Sequence, residues 1–441
     1  MFKYFPHTEN DIKEMLEKMN LRSLDDLFSD VPENVKYKND LDLPQSLSES
    51  ELRKKIKDLS KKNKELISFL GAGSYDVYTP SVIKALTSRE EFLTSYTPYQ
   101  AEISQGTLAY IFEFQSIIAE LTNLDISNAS MYDGPTATAE AMFMAESITR
   151  RNKILVSSAI APQTVEVLKT YAKYKGLIIE MVETDSYVTS ESDVLSKIDA
   201  STAALIFQSP NYFGYMEDLT KVIEVLHNNK SIVIMNADPS TFSILKTPGE
   251  MGVDIACGEA QTLGIPLSFG GPYLGYIATK KDYMRKIPGR IVGATLDKNG
   301  RRGFVLTLQA REQHIRRDKA VSNICSNQSL MALSVDIYAS IMGKSGLVET
   351  QNIAYNNAHY LYEKLIETKL FISVTDNEFL KEFVVESTLD LANLNEYLID
   401  HGYLGGKVLC DNKYLVAVTE KRTKEELDEF LSLVEDFAHV R

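Results

Sequence analysis

The stretch Ser231-Ile232-Val233-Ile234-Met235-Asn236-Ala237-Asp238-Pro239 decides the fold. A continuous apolar run that ends in Asn, Asp and Pro is typical of a strand buried on both faces of a parallel sheet. Similar runs lie upstream at residues 153–156, 177–179 and 203–207, and helical stretches at 165–174 and 219–226 alternate with them. This alternation predicts an α/β domain with a mostly parallel sheet covered by helices on both faces.

Different patterns flank this central region. The first 65 residues predict a charged helical arm, in which Thr8 to Asp11 and Ser48 to Glu51 resemble capping boxes before narrow apolar stripes. The stripes suit packing either on the chain's own large domain or on a partner. Beyond residue 345, a long helical stretch, strands at 382–385 and 414–418 and an acidic helix at 424–437 predict a smaller α+β domain. We therefore expect domains at 1–65, 66–345 and 346–441.

Composition narrows the functional class. The 441 residues include 47 Lys and Arg against 61 Asp and Glu, for a net charge of −14. This acidic balance argues against nucleic-acid binding, which needs clustered Lys and Arg. No apolar run approaches the roughly 18 residues of a membrane span, and the N-terminus lacks the apolar core of a secretory signal. Three distant cysteines and scattered histidines give neither a disulfide framework nor a metal site. We expect a cytoplasmic enzyme or a subunit of one.

Two segments carry residue types that suit a phosphorylated cofactor. Gly134, Thr136 and Thr138 stand where a small-residue helix begins, and a helix N-terminus attracts phosphate through its free N–H groups. Asp238 follows a parallel strand, where doubly wound folds bind ligands, and in pyridoxal-phosphate enzymes such an Asp pairs with the ring nitrogen. Each segment also has a purely structural explanation. The first could be an ordinary capped helix without a ligand, and Asp238 could be a turn residue before Pro239.

A lysine is missing where such an enzyme needs one. Pyridoxal phosphate rests as a Schiff base on an amine, yet residues 258–272 contain no Lys. The nearest candidates are Lys246, which is close to Asp238, and Lys280, beyond the pair Gly270-Gly271.

Four motifs stand in a specific order along the chain: SYTPYQAEISQG at residues 95–106, YDGPTATAEA at 132–141, QTLGIPLSFGGP at 261–272 and QAREQHIRR at 309–317. Together they resemble the P-protein of the glycine cleavage system, glycine dehydrogenase (decarboxylating), in its split bacterial form. The resemblance is to the alpha subunit, or subunit 1, and covers essentially the whole chain.

The resemblance implies a fold type I pyridoxal-phosphate-dependent transferase fold and an α2β2 heterotetramer with the P-protein beta subunit. In that beta subunit a Lys-Thr-Phe segment precedes an Ile-Pro pair. Alignment on Ile265-Pro266 places its Schiff-base Lys on Gln261, whose amide cannot form an aldimine. We therefore expect pyridoxal 5'-phosphate on the partner and none bound covalently to this chain. Gly134, Thr136, Thr138, Asp238 and Gln261 would be remains of a cofactor pocket.

The implied reaction decarboxylates glycine and transfers its aminomethyl group to the lipoyl group of the H-protein. Because fold type I sites lie at subunit interfaces, we expect this chain to supply walls of the partner's site. The candidates for contact with glycine or the interface are Tyr96, Tyr99, Gln100 and Glu102. The alternative is that their loop packs at the interface and does not contact the substrate.

A basic stretch offers a second candidate surface. His314 stands among Arg311, Arg316, Arg317 and Lys319 and suits either an acidic carrier protein or a solvated surface. Two alternatives for the whole chain remain open, a self-sufficient pyridoxal-phosphate enzyme that uses Lys246 and a non-catalytic scaffold subunit.

Overall fold

The computed structural model describes Tyr4, residues 6–410 and residues 412–439. The chain divides into two compact units, residues 1–64 and 65–441. Its α-helices are α1 (Glu9–Lys18), α2 (Glu49–Ser60), α3 (Ser81–Thr87), α4 (Glu90–Leu93), α5 (Gln105–Thr122), α6 (Gly134–Thr149), α7 (Pro162–Lys175), α8 (Glu191–Lys197), α9 (Thr220–Asn228), α10 (Gln313–Arg316), α11 (Ser329–Glu367), α12 (Leu391–Asp400) and α13 (Lys424–His439).

The strands alternate with these helices through the centre of the chain and cluster again near its end. They are β1 (Ile67–Ser68), β2 (Ile126–Ser127), β3 (Lys153–Ser157), β4 (Ile178–Val182), β5 (Thr184–Asp185), β6 (Val188–Thr189), β7 (Thr202–Gln208), β8 (Ile232–Asn236), β9 (Ile255–Glu259), β10 (Gly275–Thr279), β11 (Ile291–Leu296), β12 (Arg302–Thr307), β13 (Phe371–Ser373), β14 (Glu382–Ser387), β15 (Tyr403–Leu404), β16 (Lys407–Cys410) and β17 (Lys413–Ala417).

In the N-terminal unit, α1 and α2 both begin with a capping box. The Thr8 hydroxyl accepts a hydrogen bond from the Asp11 N–H at 3.2 Å, and the Asp11 carboxylate accepts one from the Thr8 N–H at 2.6 Å. Ser48 and Glu51 repeat the exchange at 3.4 and 2.8 Å. Both predicted capping boxes are confirmed, because each pair satisfies N–H groups that the helix leaves free. No residue of α1 or α2 is buried, and a domain at 1–65 stays a prediction.

The second unit is built on a sheet with the strand order β2-β10-β9-β8-β7-β3-β4. Strands β4, β3, β7, β8 and β9 pair in parallel, while β10 pairs antiparallel with β9 and β2. Both faces are covered: Ile232 and Ile234 of β8 pack in a cluster with α6 and α7, and Val233 and Met235 pack in one with α8 and α9. The predicted α/β class with a mostly parallel sheet is confirmed, because strands buried on both faces require continuous apolar runs.

From α11 onward the chain forms helices against an antiparallel sheet with the order β13-β14-β17-β16. The long helix α11 leads into it and is broken at Gly343, whose φ of +58° and ψ of −176° are not helical. The expected boundary between residues 345 and 346 falls inside α11, and residues 65–441 form one compact unit. A separate domain at 346–441 therefore stays a prediction.

Over the described parts of the chain, no helix combines the length and the apolar composition that crossing a bilayer requires. The same residues contain no group of three or more His, Cys, Asp or Glu side chains placed to hold a metal ion.

Candidate functional site

A cavity of about 650 Å³ opens at the carboxyl ends of three neighbouring parallel strands. The last residues of these strands, Gln208 of β7, Asn236 of β8 and Glu259 of β9, contribute to its wall. Residues 70–75, the first residues of α6 and the residues around β14 complete it. This is the edge at which open α/β sheets bind ligands.

The start of α6 lies on this wall and is capped from within the chain. The Asp133 carboxylate accepts hydrogen bonds from the Thr136 N–H and hydroxyl, both at 2.8 Å. The Thr138 hydroxyl donates to the Gly134 carbonyl oxygen at 2.8 Å and accepts from the Asn236 amide at 2.8 Å. Gly134 lines the cavity, but both threonine hydroxyls are already bonded inside the helix N-terminus.

Glu259 holds the helix end that was expected to suit a phosphate. Its carboxylate accepts a hydrogen bond from the Gly134 N–H at 3.0 Å and another from the Leu274 N–H at 2.7 Å. Burial of this carboxyl group raises its pKa to about 7. A β-carbon on Gly134 would meet the Glu259 backbone nitrogen at 3.0 Å, so a glycine suits this close approach of the helix to β9.

Asp238 lies two residues beyond β8, inside the cavity wall, and is paired with a lysine from the far end of the chain. Its Oδ2 accepts a hydrogen bond from Lys381 Nζ at 2.6 Å, and the two side chains are only 16% and 8% exposed. Its Oδ1 accepts from the Ser240 N–H at 2.9 Å and from the Thr262 hydroxyl. The Lys381 ammonium also lies 4.6 Å from the centroid of the Tyr75 ring. Both charges are thus satisfied without a ligand.

Gln261 is fully buried, and its side-chain amide hydrogen-bonds both backbone polar groups of Tyr75. Its Oε1 accepts a hydrogen bond from the Tyr75 N–H at 3.0 Å, and its Nε2 donates to the Tyr75 carbonyl oxygen at 2.9 Å and to the Ile265 carbonyl oxygen at 2.6 Å. The side chain at the position where the resemblance predicts a lysine therefore fixes the backbone of Tyr75 next to the cavity.

Glu382, which sequence reasoning missed, holds the same segment from the other side. Its Oε1 accepts a hydrogen bond from the Ala72 N–H at 2.6 Å, and its Oε2 accepts one from the Tyr75 hydroxyl at 2.8 Å. Burial raises the pKa of this carboxyl group to about 7. The available signal was the charged pair Lys381-Glu382 directly before the apolar residues 383–385.

The lysines named from the sequence lie elsewhere. Lys246 is exposed and outside the cavity wall, and Lys280 is bound to Asp254 at 2.6 Å. Lys381 and Lys407 line the cavity instead, and the Lys407 ammonium lies 5.4 Å from the centroid of the Tyr212 ring. Neither lysine was among the residues expected from the sequence, because both are far along the chain from the cofactor-type motifs.

The predicted tyrosine loop lies outside the cavity and meets the predicted basic stretch. Tyr96 is 85% exposed and Tyr99 47% exposed, and Gln100 and Glu102 are exposed as well. The ring of Tyr99 lies 5.6 Å from that of His314, edge to face. These residues do not line the pocket of their own chain, and their contact with a partner stays a prediction.

A buried arginine contacts this loop through the hydroxyl group of Tyr99. Arg290, which is 7% exposed, donates to the Cys325 carbonyl oxygen at 2.6 Å and reaches the Tyr99 hydroxyl at 3.4 Å. The Glu312 carboxylate lies 3.8 Å from Arg290 Nε and 3.7 Å from His314 Nδ1.

One member of the basic stretch, Arg311, is partly buried. Arg311 donates hydrogen bonds to the carbonyl oxygens of Ile287 and Gly289, and its burial lowers the pKa of the guanidinium. Backbone carbonyl groups of the same chain therefore use donors of Arg311, and a role for it in binding an acidic partner stays a prediction. Arg316, Arg317 and Lys319 are exposed.

The pocket fails a direct test of fit for pyridoxal phosphate. That cofactor needs an amine for its aldehyde, a cradle for its phosphate and an acid for its ring nitrogen. At the position where the resemblance predicts the amine, this chain has Gln261, whose amide is bonded to the Tyr75 backbone. Glu259 accepts the first N–H of α6, and Lys381 pairs with Asp238. The residues present do not fit the cofactor.

Comparisons with known proteins agree on one family. The chain is 47% identical to the probable glycine dehydrogenase (decarboxylating) subunit 1 of Listeria innocua over 98% of both chains. It is 48% identical to the protein of the same name from Bacillus cytotoxicus, over 97% of this chain and 98% of that one.

Solved structures show the same relationship. A crystal structure of glycine decarboxylase (P-protein) of the glycine cleavage system, in inhibitor-bound form, matches with a TM-score of 0.91 and 38% identity, over 99% of this chain and 100% of the other. A glutamate decarboxylase from Lactobacillus brevis matches with a TM-score of 0.71 at 14% identity, over 92% of this chain and 96% of the other, and shows a shared fold alone. The expected fold type I architecture is confirmed. A sequence profile described as glycine cleavage system P-protein matches residues 2–434, and the chain belongs to that family.

Proposed function

We propose that this chain is the alpha subunit, subunit 1, of a split cytoplasmic glycine dehydrogenase (decarboxylating). With a beta subunit that holds pyridoxal phosphate, it would form an α2β2 heterotetramer that decarboxylates glycine and transfers the aminomethyl group to the lipoylated H-protein. The observation that carries this proposal is the 47–48% identity to proteins named subunit 1 across nearly the whole length of each. The altered pocket supports it, because a chain without a cofactor lysine needs a partner for this chemistry.

The tyrosine loop is the part of this chain that we propose to reach the partner's site. Pro98 is buried, and Tyr99 is bonded to Arg290, so the base of the loop is fixed while Tyr96 is exposed. A fixed loop loses little conformational entropy when it docks. Its Tyr96 hydroxyl is free to bond a small zwitterion such as glycine, and its rings can exclude water from the reacting atoms.

The exposed Arg316, Arg317 and Lys319 are a second proposed surface, for an acidic carrier such as the H-protein. These three residues follow His314, which contacts Tyr99 of the loop. They offer positive charge on a protein with a net charge of −14. Charge complementarity of this kind mainly raises the rate of encounter and is weakened by salt.

The test is glycine–bicarbonate exchange, measured with the purified chain alone, with the beta subunit alone and with both chains co-expressed. We expect exchange only when both chains are present, and a single heterotetrameric species by light scattering. Exchange catalysed by this chain alone would refute the subunit role and favour the self-sufficient enzyme.

Reduction with borohydride in the presence of pyridoxal phosphate separates the same alternatives without an activity measurement. We expect no stoichiometric label on Lys246, Lys280, Lys381 or Lys407 by peptide mass spectrometry. Lys381 and Lys407 matter most, since both line the cavity. A stoichiometric label on either would show that this chain holds its own cofactor.

A further inference from the structure

We infer that the pocket of this chain is closed to pyridoxal phosphate in every form, covalent or reversible, because the chain's own side chains hold each place where the cofactor would attach. We infer further that these side chains form a joint that fastens residues 70–75 and the start of β14 to the ends of β8 and β9. This goes beyond the proposed function, which requires only that no cofactor be bound covalently to this chain.

The place for a phosphate is held by a carboxylate. Glu259 receives the Gly134 N–H at 3.0 Å, which is the first N–H of α6, and its second oxygen is held by Leu274 at 2.7 Å. A phosphate that entered here would have to displace a carboxylate bonded at both oxygens or lie beside another acidic group. Displacement would cost the buried carboxyl group its two N–H donors. A phosphate beside the ionised group would be repelled, since like charges at short distance repel strongly where water is excluded.

The place for the ring nitrogen is held by an ammonium group. Lys381 Nζ lies 2.6 Å from Asp238 Oδ2, in a pair whose members are 8% and 16% exposed. A pyridinium N–H would need the same oxygen. Removing Lys381 from it would leave a buried ammonium without its anion, which is strongly unfavourable.

The place for the Schiff-base amine is held by a backbone clamp. Gln261 makes two hydrogen bonds to Tyr75 and one to Ile265, and Glu382 fixes the neighbouring Ala72 and the Tyr75 hydroxyl. A β-carbon on Gly71 would collide with the Glu382 carboxylate, which shows how closely this segment is seated.

Available volume does not explain the exclusion. The cavity of about 650 Å³ lies within the range of ordinary ligand pockets, roughly 300–1,000 Å³. The cavity is closed to the cofactor by side chains that are already paired inside the chain, so substitution of Glu259 and Lys381 should allow the cofactor to bind.

Pyridoxamine 5'-phosphate is the probe for reversible binding, because it has no aldehyde and cannot form an aldimine with a lysine. With about 1 mM probe, we expect the thermal midpoint of the full wild-type chain to rise by less than about 1 °C. In the double variant Lys381→Met/Glu259→Ala we expect a rise of about 2 °C or more, since both blocked places are free. Inorganic phosphate at equal concentration controls for simple anion binding.

Lys407→Met is the matched control, since it removes a lysine of the same cavity that is not paired with Asp238. We expect it to behave as the wild-type chain does. Saturable binding of the probe by the wild-type chain, or the same gain in Lys407→Met as in the double variant, would overturn the closed pocket. The proposed subunit role would survive that result, because it is judged by exchange activity of the assembled complex.

The joint is tested separately, by a double-mutant cycle between Asp238→Asn and Lys381→Met in chemical denaturation of the full chain. Each single variant should lower the folding equilibrium constant by about 100-fold, because it leaves one buried charge unpaired. The double variant should be at least about tenfold more stable than the two single effects predict together. Additivity within about threefold would show that the pair fastens nothing and would overturn the joint.

Discussion

Tyr96 and Tyr99 lie in one loop, yet their hydroxyl groups have different surroundings. The Tyr99 hydroxyl lies 3.4 Å from the buried Arg290, whereas no residue in the described part of the chain bonds the hydroxyl of Tyr96, which is 85% exposed. We predict that Tyr96→Phe lowers turnover of the assembled complex by about 10- to 1000-fold, the range for loss of one donor at a reacting centre. Steady-state exchange kinetics and light scattering measure turnover and assembly in the same samples.

Tyr99→Phe is the matched control at the same scale. Its hydroxyl is engaged inside the chain, and a net hydrogen bond of this kind contributes only about 1 kcal/mol. We expect less than about a threefold change in turnover. An intact complex with unchanged turnover for Tyr96→Phe as well would assign the loop to packing and favour the scaffold hypothesis.

Glu382 gives a prediction about pH. Burial raises the pKa of its carboxyl group from an ordinary 4.5 to about 7, and Ala72, Tyr75 and Lys381 surround it. The folded state therefore binds this proton more tightly than the unfolded state does. The resulting stabilisation is complete below about pH 4.5 and is lost as pH rises to about 7.

We predict that Glu382→Gln flattens the pH dependence of stability between pH 5 and 8 by about 1–3 kcal/mol. Glutamine keeps an oxygen for the Ala72 N–H and has no titrating proton. Denaturant titrations across this range measure the difference. Parallel profiles for the two proteins would show that Glu382 does not carry this proton.

At the scale of elements, α6 depends on one N-cap. Asp133 accepts the Thr136 N–H at 2.8 Å and sets the start of the helix whose Gly134 N–H meets Glu259. We predict that Asp133→Ala lowers the free energy of unfolding by about 1–2 kcal/mol, and that Asp133→Asn changes it by less than about 0.5 kcal/mol, since Asn caps nearly as well. Urea denaturation monitored by circular dichroism measures both. Equal losses for Ala and Asn would point to the charge of Asp133 instead of its cap.

At the scale of the whole molecule, the helices α1 and α2 carry apolar side chains that the described residues of their own N-terminal unit do not bury. Ile56 of α2 is 56% exposed and Leu52 49%. We predict that Ile56→Lys weakens assembly with the beta subunit by about tenfold or more, because apolar area buried at the interface would be lost. The thermal midpoint of the isolated chain should not change.

Lys54→Ala, on the opposite side of α2, is the control for that prediction and should assemble normally. Sedimentation velocity over a range of concentrations measures the assembly of both variants. Unchanged assembly of Ile56→Lys would exclude this stripe from the interface with the partner.

Much of the fold was predictable because its causes are local. The apolar run in β8, the caps of α1 and α2 and the alternation of strands and helices follow from side-chain size, burial period and backbone hydrogen bonding over a few residues. The sequence alone also shows that residues 258–272 contain no lysine. A Schiff base needs an amine, so this conclusion requires no knowledge of the geometry.

The tertiary structure alone decided which side chains pair with one another inside the cavity. Lys381 reaches Asp238 across 143 positions of sequence, and Glu382 reaches Ala72 across 310. Tyr99 and Arg290 meet across 191 positions. No local pattern encodes such pairs, since they depend on how the sheet, the segment at 70–75 and the C-terminal strands come together. The sequence by itself determined the strands, the caps and the glutamine at position 261, and folding over long distances determined which side chains pair in the pocket.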